Sequence, residues 1–144
     1  MTTNELVLAI HPVHAEAIFE GRKKLELRTR FPRVSPGTVV YLYATAPISA
    51  VVGGFIVDDV IEDSVAVIWA NFGSLLGITE AEFATYAHGR SCIKAVRIQD
   101  TFRLTHSVSR QELKEVSDEY CPPQSAGFLR HHSVREHLRK LQPA

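Results

Sequence analysis

Gly21-Arg22-Lys23-Lys24-Leu25-Glu26-Leu27-Arg28 is the stretch on which both the fold and the site turn. With the following Thr29-Arg30-Phe31-Pro32 it sets five cationic side chains around a single carboxylate, Glu26. An apolar-patterned helix precedes it and stops at Gly21. If Lys24 to Arg28 is a strand, its period of two sends Leu25 and Leu27 to one face. Lys24, Glu26 and Arg28 then point to the other. Such a row of alternating charge is either washed by solvent or lines a polar cleft. The second alternative makes this stretch the candidate site.

The rest of the chain bounds what that site can be. It has 144 residues, 45% hydrophobic and 22% charged, the make-up of an ordinary globular domain. One domain over 1–144 is expected, with a core over about 6–129 and a helical extension over 130–144. Sixteen Lys and Arg balance sixteen Asp and Glu, so no global field draws a polyanion. Nucleic-acid affinity must then rest on a local patch. Arg22, Lys23, Lys24, Arg28, Arg30 and Arg33 against Glu26 make one, while acid gathers from Asp58 to Asp63 and at Glu80 and Glu82. Cys92 and Cys121 have no metal-ligand spacing, and two thiols make no disulfide framework. The amino terminus lacks a basic segment followed by an apolar one, and no apolar run approaches the roughly 18 residues of a membrane span. A cytoplasmic protein with reduced thiols and no membrane partner is expected.

Leu6 to Ile10 reads as a buried strand. Pro12 suits the first turn of a helix whose apolar stripe is Ala15, Ile18 and Phe19. Thr38 to Tyr43 is β-branched and aromatic, a strand. Val51 to Glu62 reads as a long strand bent at Gly53-Gly54, as closure of a small barrel requires. Ser64 caps a helix reaching Phe72, and Thr79 with Glu82 is a capping box opening a helix to about His88. Ser91 to Asp100 and Thr101 to Leu104 read as two strands. Ser109 opens a short helix, Pro122-Pro123-Gln124-Ser125 interrupts the chain, and Ser133 to Leu141 forms a charged terminal helix. Strands with helices inserted between them make an α+β plan.

Gly21-x-Lys23-x-x-Glu26-x-Arg28 resembles the GxKxxExR signature of the ASCH domain, of the PUA-like superfamily of small β-barrels. Its neighbours fit as well: Pro12-x-x-Ala15-x-x-Ile18 before it, then Tyr43-Ala44-Thr45-Ala46-Pro47 with Val52-Gly53. Trp69, Tyr86-x-x-Gly89 and Pro122-Pro123-Gln124-Ser125 are similar to a stand-alone prokaryotic and phage subgroup. The resemblance implies a pseudobarrel of about five to six strands with a cleft floored by the signature. It also implies binding of RNA, of other single-stranded nucleic acid or of a nucleotide, regulatory or recognising a modified base. The alternative it carries is a small hydrolase, of ribonuclease or amidohydrolase type. Deacylating members pair the motif lysine with a threonine where Glu26 stands. They also use a glutamate before the later helix, where Ser74-Leu75-Leu76-Gly77-Ile78 offers none until Glu80. That departure tells against the amidohydrolase.

Lys23 and Glu26 are the catalytic candidates, and Lys23, Glu26, Arg28, Arg30, Lys24 and Thr45 the nucleic-acid-binding ones. Lys23 is a phosphate donor or, desolvated, a base or nucleophile; its bland alternative is a solvated lysine. Glu26 accepts from a base edge or ribose hydroxyl, acts as a general base, or merely pairs with Arg28 or Lys24. Arg28 presents a planar fork to phosphate or holds Glu26 in place. Thr45 and Ser49 turn hydroxyls into the cleft or cap a turn. Tyr41 and Tyr43 share a face, either to stack a base or to fill the core. His11 and His14 have no evident third ligand, so neither a metal nor another cofactor is expected. A charged face docking an acidic protein is a further, blander reading of the whole.

Overall fold

The computed structural model describes residues 4–143. Strand β1 (Glu5–Ile10) is buried at every position, as a near-continuous apolar run covered on both faces must be. It lies between a parallel neighbour, β3 (Val39–Ala44), and an antiparallel one, β6 (Ala126–Phe128). The remaining strands are β2 (Leu25–Arg28), β4 (Ala50–Ser64) and β5 (Cys92–Ser109). They complete a six-stranded sheet in the order β2-β5-β4-β3-β1-β6. The mixed sheet curls into a half-barrel, the α+β pseudobarrel expected from the sequence.

The curl comes from β4 and β5, which pair antiparallel over nearly their whole lengths. Their register slips at Val51/Gly53, Gly54/Ile56 and Val57/Asp59, and each slip adds bend and twist. A Cβ on Gly53 would collide with the Phe102 carbonyl oxygen, and one on Gly54 with that of Val40. Absent side chains therefore let three strands close up at the bend. Two expectations need correction here. Ser91–Asp100 and Thr101–Leu104 are one strand, β5, which passes through a left-handed Asp100 (φ 49°) without losing its partner. The short β6 follows the proline interruption and adds an edge strand that three residues of sequence do not announce.

Helix starts follow local chemistry. Helix α1 (Pro12–Phe19) opens on its proline, and α2 (Val65–Phe72) on Ser64, whose hydroxyl accepts from Val67 N. Helix α3 (Glu80–Ala87) has both halves of its capping box, and Ser109 caps α4 (Arg110–Val116). Helix α5 (His132–Lys140) is the last helix among the described residues. Three apolar clusters hold these pieces. Leu6, Leu8, Ile18, Phe55 and Val96 pack around α1. Val7, Leu113, Val134 and Leu138 seat α4 and α5 on the opposite face of β1. Leu25, Leu27, Ile68, Phe83 and Ile93 seat α2 and α3 on β2 and β5. Tyr41 and Tyr43 belong to the second cluster, with the Tyr41 hydroxyl accepting from Gln142, so their shared face is core. Among the described residues no helix is long and apolar enough to cross a membrane.

Candidate functional site

Strand β2 begins at Leu25, one residue later than its charge pattern suggests. Its parity holds: Leu25 and Leu27 enter the third cluster, and Glu26 and Arg28 turn to the other face. Lys23 reaches the same place from the turn before the strand, its amide donating to the Ala17 carbonyl at 3.0 Å. The side chain is only 3% exposed. Its ammonium donates to Leu76 O at 2.8 Å and lies 3.3 Å from Glu26 Oε1. Gly77 makes this approach possible. Its φ is +67°, and a Cβ there would come within 2.9 Å of Lys23 Cβ.

The other Glu26 oxygen, Oε2, accepts from Arg28 Nε at 3.0 Å and lies 2.9 Å from Nη2. Arg28 Nη2 also donates to Ala9 O on β1 at 3.0 Å. An arginine on one edge strand thus ties down a strand at the far side of the sheet, across the mouth of the half-barrel. Lys23, Glu26 and Arg28 form one chain of charge-assisted bonds, two cations on one carboxylate. That chain is the floor of a cleft of about 690 Å³. One wall is Ala9, Ile10, His11 and His14; the other is α3 and its approach, with Ile78, Ala81, Glu82, Thr85 and Tyr86.

The walls add chemistry of their own. Tyr86, 41% exposed, accepts from Thr29 N at 3.2 Å and donates to Leu27 O at 3.4 Å. Its ring is held at the mouth while its hydroxyl is used. His14 titrates below its ordinary value, first because burial penalises the imidazolium and then because Lys23 repels it. Its ring is therefore neutral at neutral pH. Glu82 titrates below the ordinary carboxylate value because the Thr79 amide, then the Thr79 side chain, bonds it.

Of the residues singled out from the sequence, the fold brings Lys23, Glu26 and Arg28 together in the cleft and leaves three outside it. Lys24 and Arg30 are exposed, and Lys24 precedes the strand whose parity would have turned it inward. Thr45 is half-buried in the turn after β3, its amide donating to Ile10 O at 2.9 Å. Arg22 pairs with Glu20 on the surface. Residue reasoning did not assign His14, Glu82, Thr85 or Tyr86 to the cleft. The capping box before a helix that must pack near the signature was the available signal for the α3 group.

The ASCH domain family model matches residues 8–115, from β1 to α4. A curated relative from Zymomonas mobilis subsp. mobilis, named ASCH domain-containing ribonuclease, is 28% identical over 137 residues. That match covers 95% of this chain and 89% of the relative. The crystal structure of ASCH from Zymomonas mobilis superposes with a TM-score of 0.87 at 27% identity, covering 96% of each chain. A hypothetical protein from Leishmania major shares the fold alone: TM-score 0.57 at 12% identity, over 96% of this chain and 94% of that one. With three quarters of its length matched by one family model and its signature lysine, glutamate and arginine bonded in a single cleft, the chain belongs to the ASCH domain family.

Proposed function

We propose that the cleft binds single-stranded RNA or a nucleotide, with phosphate on Lys23 and Arg28 and a base between Tyr86 and the apolar wall. The bonded Lys23–Glu26–Arg28 floor carries this reading. It holds two fixed cations against one carboxylate where water is largely excluded, so a phosphate meets donors that need no reorganisation. A volume of about 690 Å³ lies within the usual range for small-ligand sites. Ile78 and the Tyr86 ring offer the apolar surface on which bases stack. A duplex cannot present a base to a pocket of this kind, so unpaired nucleotides are favoured. The ribonuclease name of the Zymomonas relative supports RNA as the polymer.

Cleavage is the second reading, and His14 favours it. A neutral imidazole in the wall can take the proton of a ribose 2′-hydroxyl as its oxygen attacks the adjacent phosphorus. The P–O5′ bond breaks to leave a 2′,3′-cyclic phosphate, the departing 5′-oxygen takes a proton from solvent, and Lys23 stabilises the negative charge that builds on the phosphoryl oxygens.

Fluorescence anisotropy with labelled single-stranded and duplex RNA tests the binding. Two phosphate contacts give a salt slope of roughly −1.4, so affinity falls about sevenfold between 50 and 200 mM salt. Lys23→Ala should remove about half of that slope, to roughly −0.7, and weaken binding. Ala81→Trp, at an exposed position of the wall, should block the cleft without touching its charges. Salt-independent binding, or equal binding by both variants, ends the proposal. Turnover that vanishes in His14→Ala while binding persists selects the second reading.

A further inference from the structure

Away from the cleft, three side chains from three elements converge: His106 on β5, Glu112 on α4 and His137 on α5. None of them lines the cleft. Both imidazoles meet the same carboxylate oxygen. His106 Nε2 lies 3.1 Å and His137 Nε2 2.7 Å from Glu112 Oε2, and all three atoms fall within 4.8 Å of one another. We propose that His106, Glu112 and His137 form a Zn²⁺ site that staples α5 to β5 and α4.

The geometry fits the ion. Zn–N and Zn–O bonds of about 2.0–2.1 Å in a tetrahedron put ligand atoms roughly 3.3 Å apart. The 3.1 and 2.7 Å separations from Glu112 are shorter than that by about 0.2 and 0.6 Å, and the two imidazole nitrogens lie within 4.8 Å of each other, offsets that side-chain torsions can supply. Two imidazoles and one carboxylate are borderline ligands suited to Zn²⁺, and a poor set for Mg²⁺, which takes oxygens. Three protein ligands leave one coordination position. It faces solvent, since the His106 side chain is 55% exposed and the other two about 30% or less. Binding would replace the imidazole protons now directed at Glu112, so it releases protons and weakens in acid.

Linear spacing hides the site: His106 and Glu112 are six residues apart and Glu112 and His137 twenty-five. Only the folding of α5 back onto the second apolar cluster, through Val134 and Leu138, assembles it. The staple would therefore act on the carboxy-terminal helix and leave the signature cleft unchanged.

Titration calorimetry on the chelator-treated full chain, with ZnCl₂ and with MgCl₂, decides the matter. One equivalent of Zn²⁺ should bind and raise the thermal midpoint, with no response to Mg²⁺. Replacing Zn²⁺ by Co²⁺ should give the strong visible absorption of a four-coordinate site. Loss of one ligand, in His106→Ala or His137→Gln, should weaken Zn²⁺ by more than the roughly 10–100-fold that loss of an outer-shell partner produces. His106 is exposed enough that its variant keeps the fold, which circular dichroism checks. His132→Ala, off the site, should bind as the parent does. No binding, binding that survives His106→Ala with His137→Gln, or an equal response to Mg²⁺ overturns the proposal.

Discussion

Glu26 is the residue on which the floor depends, because each of its oxygens is committed to a different cation. It is 6% exposed and Lys23 is 3% exposed, so neither partner can turn to water if the other is lost. Breaking a buried ion pair by removing one side costs about 3–5 kcal/mol, most of it the charge left behind. Glu26→Ala leaves two cations without their shared anion, although Lys23 keeps Leu76 O and Arg28 keeps Ala9 O. A loss of about 3 kcal/mol is expected in urea unfolding. Lys23→Met strands Glu26 Oε1 and the Leu76 carbonyl, but Arg28 still neutralises the carboxylate through Oε2, so the cost is about 1–3 kcal/mol. The carboxylate variant should therefore be the less stable of the two. If Glu26→Ala unfolds within about 0.5 kcal/mol of the parent, the residue is not a structural anion, and a direct role toward ligand replaces this account.

Helix α3 carries the outer wall, and its position rests on few attachments: Phe83 and Ala87 in the third cluster, Tyr86 on β2, and its cap. Thr79 Oγ1 accepts from Glu82 N at 3.1 Å, and Glu82 Oε1 accepts from Thr79 N at 2.9 Å. Thr79→Ala removes the first bond and leaves the second, which the residue 79 backbone amide donates, a loss of about 1 kcal/mol. Hydrogen exchange should then quicken in residues 80–87, leave β3 and β1 unchanged, and accompany weaker ligand binding; uniform quickening would mean that α3 is no separate unit. This cap was legible in the sequence because its chemistry spans four residues, as were the Ser64 and Ser109 caps. The signature was legible for the same reason, since Glu26 and Arg28 share a face by parity alone. What was not legible is what needs a distant partner. β5 runs through Asp100 because β4 stays paired beside it, and β6 exists because β1 offers an edge. Lys24, next to the strand but outside it, missed the cleft by one residue. His14, Tyr86 and Gly77 reach the site from other elements, and no local spacing relates them to Lys23.

At the scale of the molecule, three carboxylates fasten helices to the sheet or to themselves, and all three titrate below the ordinary value of 4.5. Glu16 on α1 is held low by its hydrogen bond to Arg103 of β5, with contacts of 2.8 and 3.2 Å. Glu82 is held low by the Thr79 cap. Burial pushes Glu112 up, and its bonds to His106 and His137 outweigh that and bring it down. A carboxyl whose pKa is lower folded than unfolded binds its proton more weakly in the fold. Its contribution is complete above the unfolded value and disappears as pH falls through the folded one. Stability should accordingly decline below about pH 4.5, and more steeply at low salt, because Glu16 and its arginine are about half exposed and screened. The sheet itself draws on none of these three bonds for its ladders, so acid should release α1, α3 and α4–α5 while β1, β3 and β4 remain protected. The combined variant Glu16→Gln, Glu82→Gln and Glu112→Gln should be less stable than the parent at pH 7. Between pH 5 and 3 its unfolding midpoint should change less, so that the two curves converge in acid. Parallel curves would place the acid-sensitive groups elsewhere and deny these carboxylates their part in holding the helices to the half-barrel.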